Sequence, residues 1–416
     1  MFFLKLAILY VMLILIDTTL YQMGDKNMNT KELAKMINDK HFFNLKKMQY
    51  KYSPESVMEM SETLKEMSYA QISIKDFDGQ SCVYLPIQSL IPTRVMKKLL
   101  TANTSKELFG LKAMEEEIDF TLQIENIQSN RNSVRKILQG FAPTSEEENR
   151  IFGMKKGLEF ISDHTKKITE ENLHYLYKLS VEDFLVDNDK LSEGSYYRND
   201  TVYIVGDKPY HEGLSPKLLS KYMAELVEFA NQKDEIPELA KACMLHFYIA
   251  YLHPYFDGNG RMARLLHLWY LVQQGFSSTL FYAFSKHINS SKNKYYNSFL
   301  DIEENYKISK LLDMTPFIRY FKEYVYDKID STSSMVPVYE IFTHAMKDGK
   351  ITEKERDLWN FVLSAYGDGQ FSTKQLEKDF GNAAYATIRG FVLKFQDLGL
   401  LTSQQFGSRV KYSIKN

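Results

Sequence analysis

The stretch His253-Pro254-Tyr255-Phe256-Asp257-Gly258-Asn259-Gly260-Arg261-Met262-Ala263-Arg264 holds the residue types and spacings that can do chemistry. His253 is the one side chain there whose ordinary pKa permits base chemistry near neutrality. Pro254 cannot donate a backbone hydrogen bond and restricts its predecessor, so a helix must stop at His253. Gly258, Asn259 and Gly260 tolerate positive φ, so the loop can turn its N–H groups inward as an anion nest. A helix beginning there adds its positive N-terminal end. Arg261 and Arg264, three apart, share one face of its first turn. Asp257 stands at the nest's edge, where a carboxylate repels phosphate unless a cation bridges them. Mg²⁺, held by one or two carboxylates plus phosphate oxygens, suits that place. The pattern describes a polyphosphate site with a metal ligand and a general base. Eight such demanding positions recur by chance roughly once in 10^10 starts.

A second constellation lies upstream. Leu111, Met114, Ile118 and Leu122 form an apolar stripe, and the next position on it is Glu125. A carboxylate on a core-facing stripe is costly without a cationic partner. Arg264 is the candidate, and Thr121, four residues before Glu125, shares the face.

The elements that must position these groups read as mainly helical. Ile236 to His253 and Arg261 to Gln274 are apolar nearly all round, which predicts central buried helices. Charged groups at the junction of two buried helices need partners or a ligand. Thr104 to Leu138 reads as one helix, followed by helices over Ser145–Phe160, Glu170–Phe184 and Ser215–Gln232. Gln71 to Gln88 reads as extended. Tyr196 to Val205, followed by Gly206-Asp207, reads as a hairpin. Near the end, three helical stretches (Thr352–Ala365, Thr373–Phe380, Ala383–Leu398) and two short strands over Leu400–Ile414 resemble a winged helix-turn-helix. Its second half carries Arg389, Lys394, Arg409, Lys411 and Lys415 against Asp397 alone, a basic footprint that would suit DNA, although such modules also dock proteins. Glu115-Glu116-Glu117 reads as a solvated stretch, and His246 and His267 read as core residues. No P-loop, zinc spacing or Ser-centred nucleophile motif is present.

Composition narrows the classes. The 416 residues allow two to three domains at about 150 residues each. Lys+Arg 52 against Asp+Glu 53 excludes a chain built wholly as a nucleic-acid coat or a solvating acidic tail. Two cysteines, Cys82 and Cys243, exclude a disulfide scaffold and suit a reducing compartment. The apolar opening over Leu6 to Ile16 falls short of the ~20 residues a membrane span needs. It reads as an early start ahead of Met23 or Met28, or else as a short anchor or, third, a cleaved signal.

The loop stretch resembles the signature of the Fic (Fic/Doc) family, H-x-F-x-[D/E]-G-N-G-R-x-x-R, with Tyr255 in place of the usual Phe. The resemblance spans roughly Lys106 to Lys328. Arg198 with Val202-Tyr203-Ile204 looks like the family's flap hairpin, and Tyr295-Tyr296 sits where many members carry a tyrosine pair. What the resemblance implies is AMP transfer from ATP to a Ser, Thr or Tyr hydroxyl of a protein target, itself included, with release of pyrophosphate. His253 would deprotonate the hydroxyl and Asp257 would hold Mg²⁺. Gly258, Asn259 and Gly260 would cradle the α-phosphate, Arg261 and Arg264 would meet the distal phosphates, and Tyr296 would lie near the nucleotide. Val202, Tyr203 and Ile204 would hold the target by strand addition. Thr121-Leu122-Gln123-Ile124-Glu125-Asn126 matches the family's inhibitory motif [S/T]-x-x-x-E-[G/N], so Thr121, Glu125 and Asn126 would block the γ-phosphate.

The resulting expectation is a mainly α protein: a leader over 1–22, a helical region over 23–105, a Fic core over 106–329, a linker over 330–337 and a winged-helix domain over 338–416. Alternatives left open are transfer of another nucleotide or phosphate-linked group, removal of AMP from a target, and a nucleotide-sensing DNA-binding regulator. A homodimer is a further option. A cytoplasmic location is expected, the alternative being a membrane anchor through residues 1–20.

Overall fold

The computed structural model describes residues 29–92, 95–96, 99, 111–204, 211–331, 341–342, 344–346, 348–366, 369–407 and 409–415. The expected leader, most of the expected linker and the Gly206-Asp207 turn lie outside them. The protein is mainly helical, and among the described residues the strands form three separate antiparallel hairpins.

Three N-terminal helices, α1 (Thr30–Ile37), α2 (Leu45–Gln49) and α3 (Pro54–Met67), precede the hairpin β1 (Ala70–Lys75) and β2 (Ser81–Tyr84). The core follows with α4 (Leu111–Ile124), α5 (Arg131–Leu138), α6 (Glu146–Ser162) and α7 (Glu170–Ser180). Next come the short hairpin β3 (Tyr203–Ile204) and β4 (His211–Glu212), then α8 (Pro216–Asn231), α9 (Glu238–Leu252) and α10 (Asn259–Gln273). Helices α11 (Phe284–Ser290), α12 (Lys292–Ser309), α13 (Thr315–Phe321) and α14 (Asp327–Ser331) close it, with a π-helical turn over Lys322–Tyr326.

Helices α9 and α10 pack against each other at the centre, as their all-round apolar pattern predicts. Leu245, Ile249, Leu252, Leu265, Leu268 and Trp269 are all buried there. Each such side chain contributes about 1.5–3 kcal/mol relative to exposure. His246 and His267 are core residues as expected. The Nε2 of His246 meets the Tyr295 hydroxyl at 2.9 Å and that of His267 meets the Tyr326 hydroxyl at 3.0 Å.

Two local readings are corrected. The single helix expected over Thr104–Leu138 is broken, within its described part, into α4 and α5. Asn126 takes a left-handed φ of 58°, which stops α4, and the Asn130 side chain caps α5 by accepting from Asn132 N. Nor is the glutamate run a solvated stretch. Glu117 is buried and accepts from the backbone N–H and hydroxyl of Ser285, while Glu115 pairs with Arg135 and Glu116 with Lys286.

The C-terminal elements are α15 (Glu353–Ala365), α16 (Thr373–Phe380), α17 (Tyr385–Asp397) and the hairpin β5 (Leu401–Phe406) with β6 (Arg409–Ile414). They share a core of their own that includes Trp359, Val362, Ile388, Phe395 and Tyr412. A capping box of Thr352 and Glu355 starts α15. Of the five basic residues expected to form a footprint, Lys394 is tied to Glu355 at 2.7 Å. Among the described residues, no helix is long and apolar enough to cross a membrane.

Candidate active site

Helix α9 stops where Pro254 requires it. His253 takes φ 52° and ψ 59°, a left-handed conformation that non-glycine residues adopt only under constraint. Its Nδ1 lies 3.3 Å from the carbonyl of Ala250. A carbonyl only accepts, so this contact selects the Nδ1–H tautomer and leaves Nε2 as the basic nitrogen. Burial pushes the imidazole down to about 4, so the ring is neutral at physiological pH.

The loop is closed by Asn259, whose Oδ1 accepts from Tyr255 N at 3.0 Å and whose Nδ2 donates to Tyr255 O at 2.8 Å. Gly258 caps α10 with φ 82°, and no side chain caps the first-turn N–H groups. A Cβ at Gly258 would stand 2.4 Å from Val181 Cγ1, so conformation and packing both demand glycine. Tyr255 stacks on Tyr177 with ring centroids 3.7 Å apart, which anchors the loop to α7. Among the described residues neither hydroxyl has a hydrogen-bond partner, although both are buried.

The two motif arginines are buried and converge on Glu125. Arg264 Nη2 lies 2.5 Å from Glu125 Oε1, and Arg261 Nε lies 2.9 Å from Oε2. Arg264 Nε also donates to the Thr121 hydroxyl at 2.5 Å, and Nη2 to the Thr121 carbonyl at 3.1 Å. Arg261 Nη2 reaches Asp257 Oδ2 at 2.9 Å. Two carboxylates thus neutralise two guanidiniums. Burial alone would lower the Arg264 guanidinium, but the charge and hydrogen bond of Glu125, together with Tyr295 and Tyr296, hold the group above its ordinary value. Gly260 leaves room for this contact, because a Cβ there would lie 2.5 Å from Glu125 Oε1.

The end of α4 is held by α12. Lys292 Nζ donates to Asn126 Oδ1 at 2.7 Å and to Gln123 O at 3.3 Å, which suits a cation at a helix C-terminus. The Tyr296 hydroxyl donates to Ile124 O at 3.1 Å. Tyr296 therefore touches the last residue of α4, next to Glu125. Lys292 carries no sequence signal for this role, since nothing local marks a lysine as the partner of a distant helix end.

On the other side, β3 and β4 pair Tyr203 with Glu212 and Ile204 with His211. Val202 O accepts from Gly213 N at 3.1 Å, and Tyr203 is 57% exposed. The hairpin presents a short strand next to the His253 loop.

A family model described as the Fic/DOC family matches residues 167–271, which include the loop, helix α9, most of α10 and the β3–β4 hairpin. The chain is similar to "Protein adenylyltransferase fic-1" of Caenorhabditis briggsae, 24% identical over 182 residues, 42% of this chain and 31% of that protein. It is similar to "Protein adenylyltransferase Fic" of Drosophila grimshawi, 25% identical over 178 residues, 43% of this chain and 33% of that one. The chain thus spans about a third of the length of these curated relatives. Among solved structures, a Fic family protein from Desulfovibrio desulfuricans G20 aligns over 78% of this chain and 95% of its own, at 18% identity and TM-score 0.48. The Fic/DOC match ends before Tyr296 and begins after Glu125, so Glu125 and its α12 buttress lie outside it while Arg261 and Arg264 lie inside.

Proposed function

We propose that the protein is an autoinhibited adenylyltransferase that moves AMP from ATP to a hydroxyl side chain of a protein target. The observation that carries this reading is the convergence of Arg261 and Arg264 on Glu125, beside a neutral imidazole and a helix start whose first-turn N–H groups have no side-chain cap. Two buried guanidiniums beside a helix N-terminus bind a polyphosphate once the carboxylate between them leaves.

In the productive state the α-phosphate rests on the N–H groups of Asn259 and Gly260 and on that of Gly258, which donates to Asp257 Oδ1 at 2.6 Å in the resting site. The distal phosphates take the arginines that Glu125 now occupies. The target hydroxyl approaches from the flap. His253 Nε2 takes its proton as the oxygen attacks the α-phosphorus in line, and the bond to the β-phosphate oxygen breaks to release pyrophosphate. Positioning and charge stabilisation supply most of the acceleration.

Asp257 fits a magnesium ion that arrives with the nucleotide. Its side chain is 50% exposed, unlike the buried arginine it meets. Mg²⁺ commonly takes one or two carboxylates plus phosphate oxygens. When bound it would neutralise phosphate charge, and Asp257 would be its protein ligand. Glu125, standing in for a phosphate, keeps the resting site closed.

The test is isotopic. Glu125→Gly incubated with Mg²⁺ and ATP labelled at the α-phosphate should retain label on protein, and γ-labelled ATP should leave none. Retention of γ-label would indicate a kinase-like transfer and reject the reading.

A further inference from the structure

A helix C-terminus leaves unpaired carbonyls. At the end of α9 the flap and its flanks take them. His211 Nε2 meets Tyr251 O at 2.7 Å, and Leu214 N donates to Leu252 O at 3.1 Å. Arg198 Nε donates to His253 O at 2.7 Å, and Arg198 N to Pro254 O at 3.0 Å. Four consecutive carbonyls around the catalytic loop thus accept from the flap side.

Arg198 makes two of these bonds and is only 2% exposed. Its Nη1 donates to Asp200 O at 2.5 Å and its Nη2 to Leu214 O at 2.5 Å. One guanidinium therefore joins the segment entering β3, the segment leaving β4, and His253 itself. Among the described residues, its hydrogen bonds all go to backbone carbonyls. A buried cation with such partners is expensive to keep. What it holds is the left-handed backbone of His253, a conformation that persists only where its surroundings over-determine it. Gly213 makes room, since a Cβ there would lie 2.6 Å from Arg198 Nη2 and 3.1 Å from His253 Cβ.

We propose that Arg198 is a positioning residue that fixes the His253 backbone and ties it to the flap, so that a docked target strand and the base that deprotonates it keep one register. The proposal rests on the adenylyl-transfer reading for its kinetic consequence and on geometry for the rest. Arg198 contacts no reacting atom.

The experiment places Arg198→Met and Arg198→Lys in the Glu125→Gly background. For methionine, kcat should fall by about 100-fold, the scale of a small misplacement of a catalytic group, with KM for ATP unchanged. Lysine should restore part of kcat, because an ammonium can serve one or two carbonyls but cannot span all three. A merely structural role would lower folded protein without splitting kcat from KM in this way. The His253 ring signal, identified by its loss in His253→Ala, should move in a proton–carbon NMR spectrum of Arg198→Met. Full kcat in folded Arg198→Met, or a His253 signal superimposed on the parent's, would overturn the proposal. If Arg198→Met does not fold, Arg198→Lys decides it: reduced kcat at unchanged KM supports the role and full kcat rejects it. If the Glu125→Gly parent transfers no AMP, the functional reading has failed, and the NMR comparison still judges Arg198.

Discussion

Arg264 Nη2 and Glu125 Oε1 lie 2.5 Å apart across 139 residues of sequence, and the same carboxylate meets Arg261 at 2.9 Å. Glu125 is the shared anion of two buried cations, and its removal should have two opposite effects. In buffer free of phosphate, Glu125→Gly should lose about 3–5 kcal/mol, the scale for stripping a buried charge of its partner. ATP with Mg²⁺ should return much of that loss, since a ligand at 100 times its Kd adds about 2.7 kcal/mol. Thermal unfolding with and without nucleotide measures both. A wild type stabilised by ATP as strongly as the variant would contradict the clamp.

Gly260 tests the same contact from the other side. A methyl group there meets Glu125 Oε1 at 2.5 Å and Arg264 Nη1 at 3.3 Å. Gly260→Ala should cost about 1–3 kcal/mol in the wild type, the usual range for overpacking. In the Glu125→Gly background the cost should shrink, because the obstructing oxygen is gone. Denaturant melts of the four proteins give the coupling energy, and simple additivity would show that Glu125 does not fill the space above Gly260.

Tyr255→Phe and Tyr177→Phe should be neutral or stabilising by up to about 1–2 kcal/mol. Each removes a buried hydroxyl that lacks a partner among the described residues and keeps the ring stack. A large loss of stability on either change would mean that a bridging water satisfies the pair.

Acid should destabilise the fold between about pH 6.5 and 4. Burial pushes His253 down to about 4, His267 to about 3 and His246 well below its ordinary value. In that window the unfolded chain binds more protons at these rings, so their contribution is lost as pH falls. Asp313 acts oppositely: burial raises its carboxyl to about 6, so its contribution grows as pH falls through that value. His174 and His287 are lowered by burial too, and Asp76, Glu117 and Asp301 are raised like Asp313, so five rings against four carboxyls leave a net loss. Denaturant midpoints at pH 7.5 and 5 should differ accordingly, and His267→Phe should flatten the difference.

The loop from His253 to Arg264 was legible because its chemistry is contiguous: proline, glycines and arginines state the turn, the nest and the cations in one reading frame. Glu125 was legible because a carboxylate broke an apolar stripe. Other contacts were not, because they join residues far apart in sequence. Arg261 reads as a phosphate ligand, yet it also binds Glu125 from 136 positions away. The break that Asn126 makes after Ile124 is held by Lys292 and Tyr296, which reach it from α12. Glu117 looks solvated beside two other glutamates until Ser285, 168 residues on, is folded against it. Arg198 stood out as a flap marker, but its reach to the His253 carbonyl needed the fold.

The most direct test of the account is intact mass of wild type, Glu125→Gly and His253→Ala after incubation with Mg²⁺ and ATP. The account predicts AMP adducts that are scarce in wild type, abundant in Glu125→Gly and absent in His253→Ala. Equal labelling of all three proteins would contradict it.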